Sequence, residues 1–229
     1  KGPSEIQHAP DLPESPADIP YFDDFDSPRL DVNWEFVRNP AEGDWSLTQR
    51  PGYYRIWTGD CGLDDIHAKN TLVRREKHHG YTATAKLEFA PDRDGQEAGI
   101  VCYYSTNTYA KLGVVRDGGM KIRLTRRSGN AAETVGERAW QGKNVVYLRV
   151  TVCQQRREFD CSEDNIHWTG VGVIENASFL SDEGVDERKR FTGTMVGMYA
   201  NSGGRSGRVC ADFDWFDYSG GPRSSAAPV

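Results

Sequence analysis

The sequence has no apolar stretch long enough to span a membrane, since none of its windows reaches the roughly 18 apolar residues that a transmembrane helix needs. It has no excess of basic residues: 28 Lys and Arg stand against 34 Asp and Glu, and the formal net charge of -6 argues against a phosphate-rich partner. It also lacks any helical pattern of apolar residues longer than two turns. We therefore expect a soluble protein with little helix, a neutral or weakly charged ligand, and no nucleic-acid or membrane partner.

The five cysteines include no Cys-x-x-Cys pair, the spacing typical of zinc sites and redox pairs. Their number is odd, so at least one thiol stays free. Cys102 lies in the apolar run 100–104, which predicts a buried, small hydrophobic residue. The opening stretch is too polar for a signal peptide, and one glycosylation sequon, Asn176-Ala177-Ser178, gives weak support for secretion. We expect a secreted protein whose signal peptide was removed, or a piece of a longer chain.

The chain is aromatic-rich and of the length of one large domain, with 229 residues that include six Trp, ten Tyr and nine Phe. Residues 1–20 hold five of the eleven prolines and show no apolar periodicity, which predicts an extended strap or linker. Residues 219–229 are small and polar, as in a flexible tail. The folded domain is therefore predicted to cover residues 21–218.

Within this domain the dominant pattern has a period of two. In 82–89 every second residue is apolar, and the same alternation recurs in 110–115, 146–152 and 209–215, where it places Phe213 and Trp215 on the buried side. Shorter strand candidates are separated by Gly, Asn and Asp turns; they are 53–57, 71–75, 98–104, 120–126 and 191–199. Residues 176–183 suggest a short helix or loop. We predict an all-β fold, a two-sheet antiparallel β-sandwich or jelly roll with one concave face.

Acidic and aromatic residues are gathered near both ends of the predicted domain. Residues 21–28 read YFDDFDSP, and residues 211–218 read ADFDWFDY. Since the first and last strands of a sandwich commonly pair, these carboxylates are expected to lie close together and to repel one another. Either a hard cation with oxygen ligands, such as Ca²⁺, or exposure on edge strands would relieve that repulsion.

Four separated segments, 21–54, 96–117, 191–200 and 211–218, resemble the C-terminal concanavalin A-like β-sandwich of family 43 glycoside hydrolases, the β-xylosidase and arabinofuranosidase group. The resemblance covers nearly all of residues 20–218. It implies a concanavalin A-like jelly roll that recognises a plant cell-wall polysaccharide of the xylan or arabinoxylan type. It also implies a structural Ca²⁺ whose ligands are Asp24, the carbonyl of Gly52, and Asp214.

The same resemblance implies that catalysis lies elsewhere, because the catalytic carboxylates of that family belong to a separate propeller domain. The chain would then be an ancillary module that binds an oligosaccharide or polysaccharide, or that packs against a family 43 catalytic domain. The position that matches a residue near the catalytic pocket in that family is Phe191. Ordinary core packing is the alternative role for this side chain.

A stand-alone glycoside hydrolase or polysaccharide lyase acting on the concave face is the alternative function. Glu88 and Glu97 lie on predicted strands joined by the 90–96 turn, where they could face each other as the paired carboxylates of a glycosidase. The other interpretation is two surface glutamates of a hairpin. Tyr103 is a candidate for the base of a lyase.

For a saccharide-binding face we select charged and aromatic residues on the polar side of the predicted strands. Arginines and carboxylates bind sugar hydroxyls, and aromatic rings cover the apolar face of a sugar. The candidates are Arg74, Arg75, Glu97, Tyr103, Lys111 and Tyr199. Alternation allows only one of the two adjacent arginines to point to a given face. A salt-bridged sheet surface without a ligand is the alternative.

Overall fold

The alternating segments form fifteen β-strands and one short 3-10 helix in the computed structural model, which describes residues 21–142, 144–185, 192–204 and 207–221. The eight-stranded sheet has the order β13 (Trp168–Ile174), β12 (Arg156–Ser162), β11 (Val145–Cys153), β6 (Gly80–Phe89), β15 (Cys210–Gly220), β4 (Tyr54–Trp57) and β3 (Trp45–Ser46), with β1 (Tyr21–Asp23) also paired to β15. The 3-10 helix is Ser178–Leu180, inside the segment predicted as a short helix or loop.

The seven-stranded sheet has the order β10 (Ala131–Ala139), β9 (Met120–Ser128), β8 (Thr108–Arg116), β7 (Glu97–Ser105), β14 (Met195–Asn201), β5 (Thr71–Arg75) and β2 (Glu35–Phe36). Every strand pair in both sheets is antiparallel. The two sheets pack face to face, which confirms the predicted antiparallel sandwich.

The core lies between the two sheets and follows the predicted alternation. Every second residue of β6, from Ala83 to Phe89, is at most 2% exposed and packs in the main hydrophobic cluster. The inward-facing residues of β7 meet them there, among them Cys102, which is 1% exposed as predicted for a buried thiol. All five cysteines are free thiols. None of the described segments forms a helix of the length and apolarity that a membrane crossing requires.

A β-bulge in β15 breaks the alternation that the sequence shows. The register against β6 shifts between Phe213 and Trp215, which leaves Asp214 as an extra residue. Phe216 and Tyr218 therefore take the core side of the strand, and the ring of Trp215 turns outward. The prediction that Trp215 lies on the buried side was wrong for this reason.

The two ends of the domain meet as predicted, because β1 pairs with β15 and places Tyr21 opposite Tyr218. Just after β1, the backbone of the buried Phe25 adopts a left-handed conformation with φ of 56°. Asp23 holds this turn: its Oδ1 accepts a hydrogen bond from the Phe25 backbone N–H at 2.9 Å, and its Oδ2 accepts one from the Trp34 indole N–H at 2.7 Å. These hydrogen bonds offset the strain of a left-handed phenylalanine.

The last strand of the domain extends slightly past the predicted end. β15 continues to Gly220 and pairs there with Tyr81, two residues beyond the predicted end at 218. The predicted strap at 1–20 and most of the predicted tail lie outside the described residues.

Candidate functional site

The outer face of the seven-stranded sheet carries a second, smaller apolar cluster. The loop 59–68 covers part of this face, so the central strands are buried on both sides. The buried members of the cluster are Leu63, Val73, Val101, Tyr103, Tyr109 and Tyr199. Because the loop 59–68 covers the outer side and the core covers the inner side, β7 is buried at every position between its two ends.

A groove of ≈ 840 Å³ opens beside this cluster, between the loop 60–66 and the turn at Gly203–Gly204. We call it the Glu97 groove, because the carboxylate of Glu97 organises its polar lining. Glu97 Oε1 accepts hydrogen bonds from the Lys111 ammonium and from Asn201 Nδ2, the latter at 2.8 Å. The side chains of Glu97 and Lys111 are 13% and 12% exposed. The groove is therefore lined by a largely buried pair of a carboxylate and an ammonium.

Buried tyrosines form the floor beneath this pair. Tyr103 and Tyr109 lie nearly parallel, with ring centroids 6.5 Å apart, and the Lys111 ammonium lies 5.4 Å from the ring centroid of Tyr199. Tyr199 lies against Gly113, where a Cβ would come within 2.6 Å of the tyrosine hydroxyl oxygen. Burial raises the pKa of both Tyr109 and Tyr199, so their hydroxyls stay neutral. These rings position the groove residues and offer little surface for stacking a ligand.

Five of the residues selected from the sequence share this outer face. Glu97 and Lys111 line the groove, and Tyr103 and Tyr199 lie in the cluster below. Arg75 lies farther out on β5, where its guanidinium pairs with Glu35 at 3.6 Å and donates to the carbonyl of Thr192. Asn201 was not selected, although it follows Tyr199 by two positions and the period-two pattern would have placed it on the same face. Phe191 lies outside the described residues.

Arg74 does not belong to this face, so its selection as a ligand-binding residue was wrong. Its side chain points into the core, is 3% exposed, and lies 3.6 Å from the ring centroid of Tyr21 and 4.7 Å from that of Tyr218. Burial lowers the pKa of its guanidinium. The two aromatic faces stabilise this buried cation in place of a carboxylate.

Glu88 and Glu97 do not face each other. The 90–96 turn carries the chain from the eight-stranded sheet to the seven-stranded sheet, so β6 and β7 are not hydrogen-bonded neighbours. Glu88 lies on the outer face of the eight-stranded sheet, where it accepts a hydrogen bond from the Tyr53 hydroxyl at 3.0 Å and pairs with Arg50 at 2.8 Å. Both sheets separate the two carboxylates, so the predicted catalytic pair was wrong. Tyr103, the candidate lyase base, is only 4% exposed.

The three groups predicted to hold Ca²⁺ each have polar or charged neighbours within the protein. Asp24 is exposed, and its Oδ1 accepts the backbone N–H of Asp26 at 3.2 Å. The carboxylate beside Gly52 is that of Asp26, whose Oδ1 would lie 3.1 Å from a Cβ on the glycine. Asp214 forms an ion pair with Lys86. Among the described residues, no group of three or more His, Cys, Asp or Glu side chains is placed to hold a metal ion.

Arginines relieve much of the charge repulsion in the last strand. Asp212 is 5% exposed, receives hydrogen bonds from Arg55 at 2.7 and 2.8 Å, and receives another from Arg50 at 2.8 Å. Burial alone would raise the pKa of Asp212, but the hydrogen bonds from Arg55 and Arg50 lower it. The geometry thus supplies cationic partners without a metal, and the Ca²⁺ site stays a prediction.

The comparison with known families decides the identity of the domain. The family described as "Beta xylosidase C-terminal Concanavalin A-like domain" matches residues 22–219. The chain belongs to this family. In this GH43 C-terminal domain, two antiparallel sheets pack face to face and β1 pairs with β15.

Whole enzymes with similar domains are known. The chain is 32% identical over 223 residues to a putative beta-xylosidase of Escherichia coli K12, covering 91% of this chain and 40% of that protein. It is 29% identical over 201 residues to the non-reducing end alpha-L-arabinofuranosidase BoGH43B of Bacteroides ovatus, covering 87% and 37%. The crystal structure of the GH43 BlXynB protein from Bacillus licheniformis superimposes with a TM-score of 0.88 at 49% identity, covering 96% and 43%. The chain therefore spans about two-fifths of these relatives.

Proposed function

We propose that this GH43 C-terminal domain binds a neutral plant cell-wall polysaccharide of the xylan or arabinoxylan type in the Glu97 groove, as the ancillary module of a secreted xylosidase or arabinofuranosidase. The observation that carries the proposal is the hydrogen-bonded set of Glu97, Lys111 and Asn201 in an open groove. The polysaccharide class is taken from the names of the relatives.

The groove residues match the chemistry of sugar hydroxyls, each of which donates one hydrogen bond and accepts others. The Glu97 carboxylate offers about four acceptor positions, of which Lys111 and Asn201 take two, and the Lys111 ammonium carries three donors. The carboxylate and the ammonium neutralise each other, and Asp60 and Asp65 add negative charge to the lining, so the site favours a neutral ligand over an anionic one. The pair at Arg127 and Asp64, 3.5 Å apart, adds a balanced charge at the groove wall.

Support for a catalytic domain is a second role that we propose, because the matched relatives are more than twice as long as this chain. Catalysis by Glu88 and Glu97 is not proposed, since the two carboxylates lie on opposite faces of the sandwich.

Affinity electrophoresis through gels that contain xylan, arabinoxylan or a uronate polymer tests the binding. We expect retardation by xylan and arabinoxylan, and about tenfold weaker retardation of Glu97→Gln, because a charged hydrogen-bonding group is lost. Glu175→Gln is the matched control, since that side chain is 74% exposed and pairs with Arg156 on the surface. Unchanged retardation of folded Glu97→Gln would contradict the Glu97 groove as the binding site.

A parallel incubation separates binding from catalysis. The same polysaccharides are mixed with the protein and assayed for new reducing ends and for the absorbance of unsaturated products. We expect neither. Either signal, if abolished by Glu97→Gln, would replace the binding module with an enzyme.

A further inference from the structure

We infer that the outer face of the eight-stranded sheet carries a second saccharide-binding site, an aromatic platform for a neutral polysaccharide chain. It lies on the opposite side of the sandwich from the Glu97 groove. The platform consists of four aromatic side chains, which we call the aromatic row: Phe22, Trp215, Tyr147 and Trp168.

Strand register places three of these rings on one line across the sheet. Trp215 of β15 lies opposite Lys86 of β6, which lies opposite Tyr147 of β11. Tyr147 lies opposite Ser162 of β12, which lies opposite Trp168 of β13. Directly opposed residues of antiparallel strands point to the same face. The line therefore crosses five neighbouring strands on the outer surface.

Neighbouring rings lie close together along part of this line. Phe22 of β1, which is 57% exposed, has its ring centroid 5.9 Å from that of Trp215. The Trp215 centroid in turn lies 6.0 Å from that of Tyr147. With adjacent strands about 4.8 Å apart, β15 and β13 are separated by roughly 19 Å, enough for several sugar rings. The bulge at Asp214 produces this arrangement, because it turns Trp215 out of the core.

Charged groups border the rings in balanced pairs. Lys86 pairs with Asp214, and Arg149 donates to Asp160 at 2.9 and 3.1 Å. The guanidinium of Arg149 also lies 3.9 Å from the ring centroid of Trp168. Lys86 and Arg149 thus each have a carboxylate partner, and Asp217, directly opposite Phe22, adds a further carboxylate, so the surface offers hydrogen-bonding groups without an excess of positive charge.

This combination favours a saccharide over the other possible occupants. The apolar face of a sugar stacks on aromatic rings while its hydroxyls bind adjacent polar groups. The centre of a protein interface is depleted of charged residues, whereas ion pairs flank these rings. Nucleic acid would require an excess of positive charge, which this surface does not provide.

Isothermal titration with xylohexaose, combined with tryptophan fluorescence, tests the platform in the Glu97→Gln background, where binding in the groove is expected to be about tenfold weaker. We expect xylohexaose to change the tryptophan emission there. The double variant Trp215→Ala/Tyr147→Ala is expected to bind about tenfold more weakly, because each ring contributes part of the stacking. Val32→Ala, which truncates a side chain that is 93% exposed outside the aromatic row, should leave binding unchanged.

Three outcomes separate the hypotheses. Weaker binding in the double variant, with binding retained in the conservative Trp215→Phe/Tyr147→Phe variant, supports the platform and excludes a folding defect. Unchanged binding in the double variant overturns the platform, and the Glu97 groove is then judged by the effect of Glu97→Gln alone on retention by xylan. Unchanged sugar binding, together with loss of association with a separately expressed family 43 catalytic domain, overturns it in favour of a protein interface.

Discussion

The buried ion pair between Glu76 and Arg157 allows a test of how the interior of the sandwich stabilises a charged side chain. Arg157 is 4% exposed, and its Nη2 donates to both carboxylate oxygens of Glu76 at 3.0 and 3.2 Å. Its Nη1 donates to the Tyr81 hydroxyl at 3.2 Å. Glu76→Gln preserves the size of the side chain but leaves the guanidinium as a buried charge without a counterion.

The expected cost follows from this burial. Removing one partner of a buried pair costs about 3–5 kcal/mol of unfolding free energy. The Glu76 side chain is 12% exposed, so water partly compensates the guanidinium and we expect the lower end, about 3 kcal/mol. For a domain of this size that loss corresponds to a fall in Tm of roughly 6–12 °C. The double variant Glu76→Gln/Arg157→Met removes both charges and should recover most of the loss.

Urea unfolding at pH 7, followed by tryptophan fluorescence, measures these free energies. The matched control is Glu175→Gln, which breaks an exposed ion pair and should cost less than about 0.5 kcal/mol. A cost below about 1 kcal/mol for Glu76→Gln would refute the reasoning. So would a double variant that is less stable than the single one, because the buried charge would then not be the cause.

Further predictions concern pH, packing, binding and metal. Asp212→Asn should lower the free energy of unfolding by about 2 kcal/mol at pH 7. Because folding lowers the pKa of this carboxyl, its contribution to stability is present above a pH of about 4 and is lost as the pH falls below that value. Urea unfolding at pH 3 should therefore show a smaller difference between the variant and the wild type. Gly113→Ala should cost about 1–3 kcal/mol in the same assay and weaken xylan retention, since the new Cβ collides with Tyr199 and with backbone. Arg74→Leu should leave xylan retention unchanged, because this side chain faces the core. The predicted Ca²⁺ site requires that a chelator lower the Tm and that excess Ca²⁺ restore it; an unchanged Tm contradicts it.

The strands and their buried sides could be predicted where one face of a strand meets the core and the other meets solvent. In β6 and β11 the apolar residues alternate without interruption, and the residues on that phase are buried. A shift of register by one residue would expose the whole apolar set, so the pattern specifies the fold strongly. The sandwich class follows from these segments alone.

Features that depend on distant parts of the chain could not be predicted in this way. The 90–96 turn looks the same in sequence whether the next strand pairs with β6 or crosses to the other sheet, so Glu88 and Glu97 were placed together wrongly. The inward position of Arg74 depends on Tyr21 and Tyr218, which lie far away in the chain.

The aromatic row escaped the sequence pattern for a local reason. A period-two pattern assumes that each residue of a strand has one partner, and the extra residue at Asp214 breaks that assumption. Trp215 therefore looks like a core residue in the sequence and is a surface residue in the fold. Because of the bulge, the adjacent side chains of Asp214 and Trp215 both point outward.

The pairing of Tyr21 with Tyr218 also determines how the domain responds to pulling forces. A force that pulls Tyr21 and Tyr218 apart acts across the paired strands β1 and β15 and breaks the hydrogen bonds between them one after another. Resistance to such peeling is lower than resistance to sliding, in which all bonds of a ladder are strained together. Tension transmitted through both ends would therefore release β1 first and leave the pairing of β6 with β11 intact.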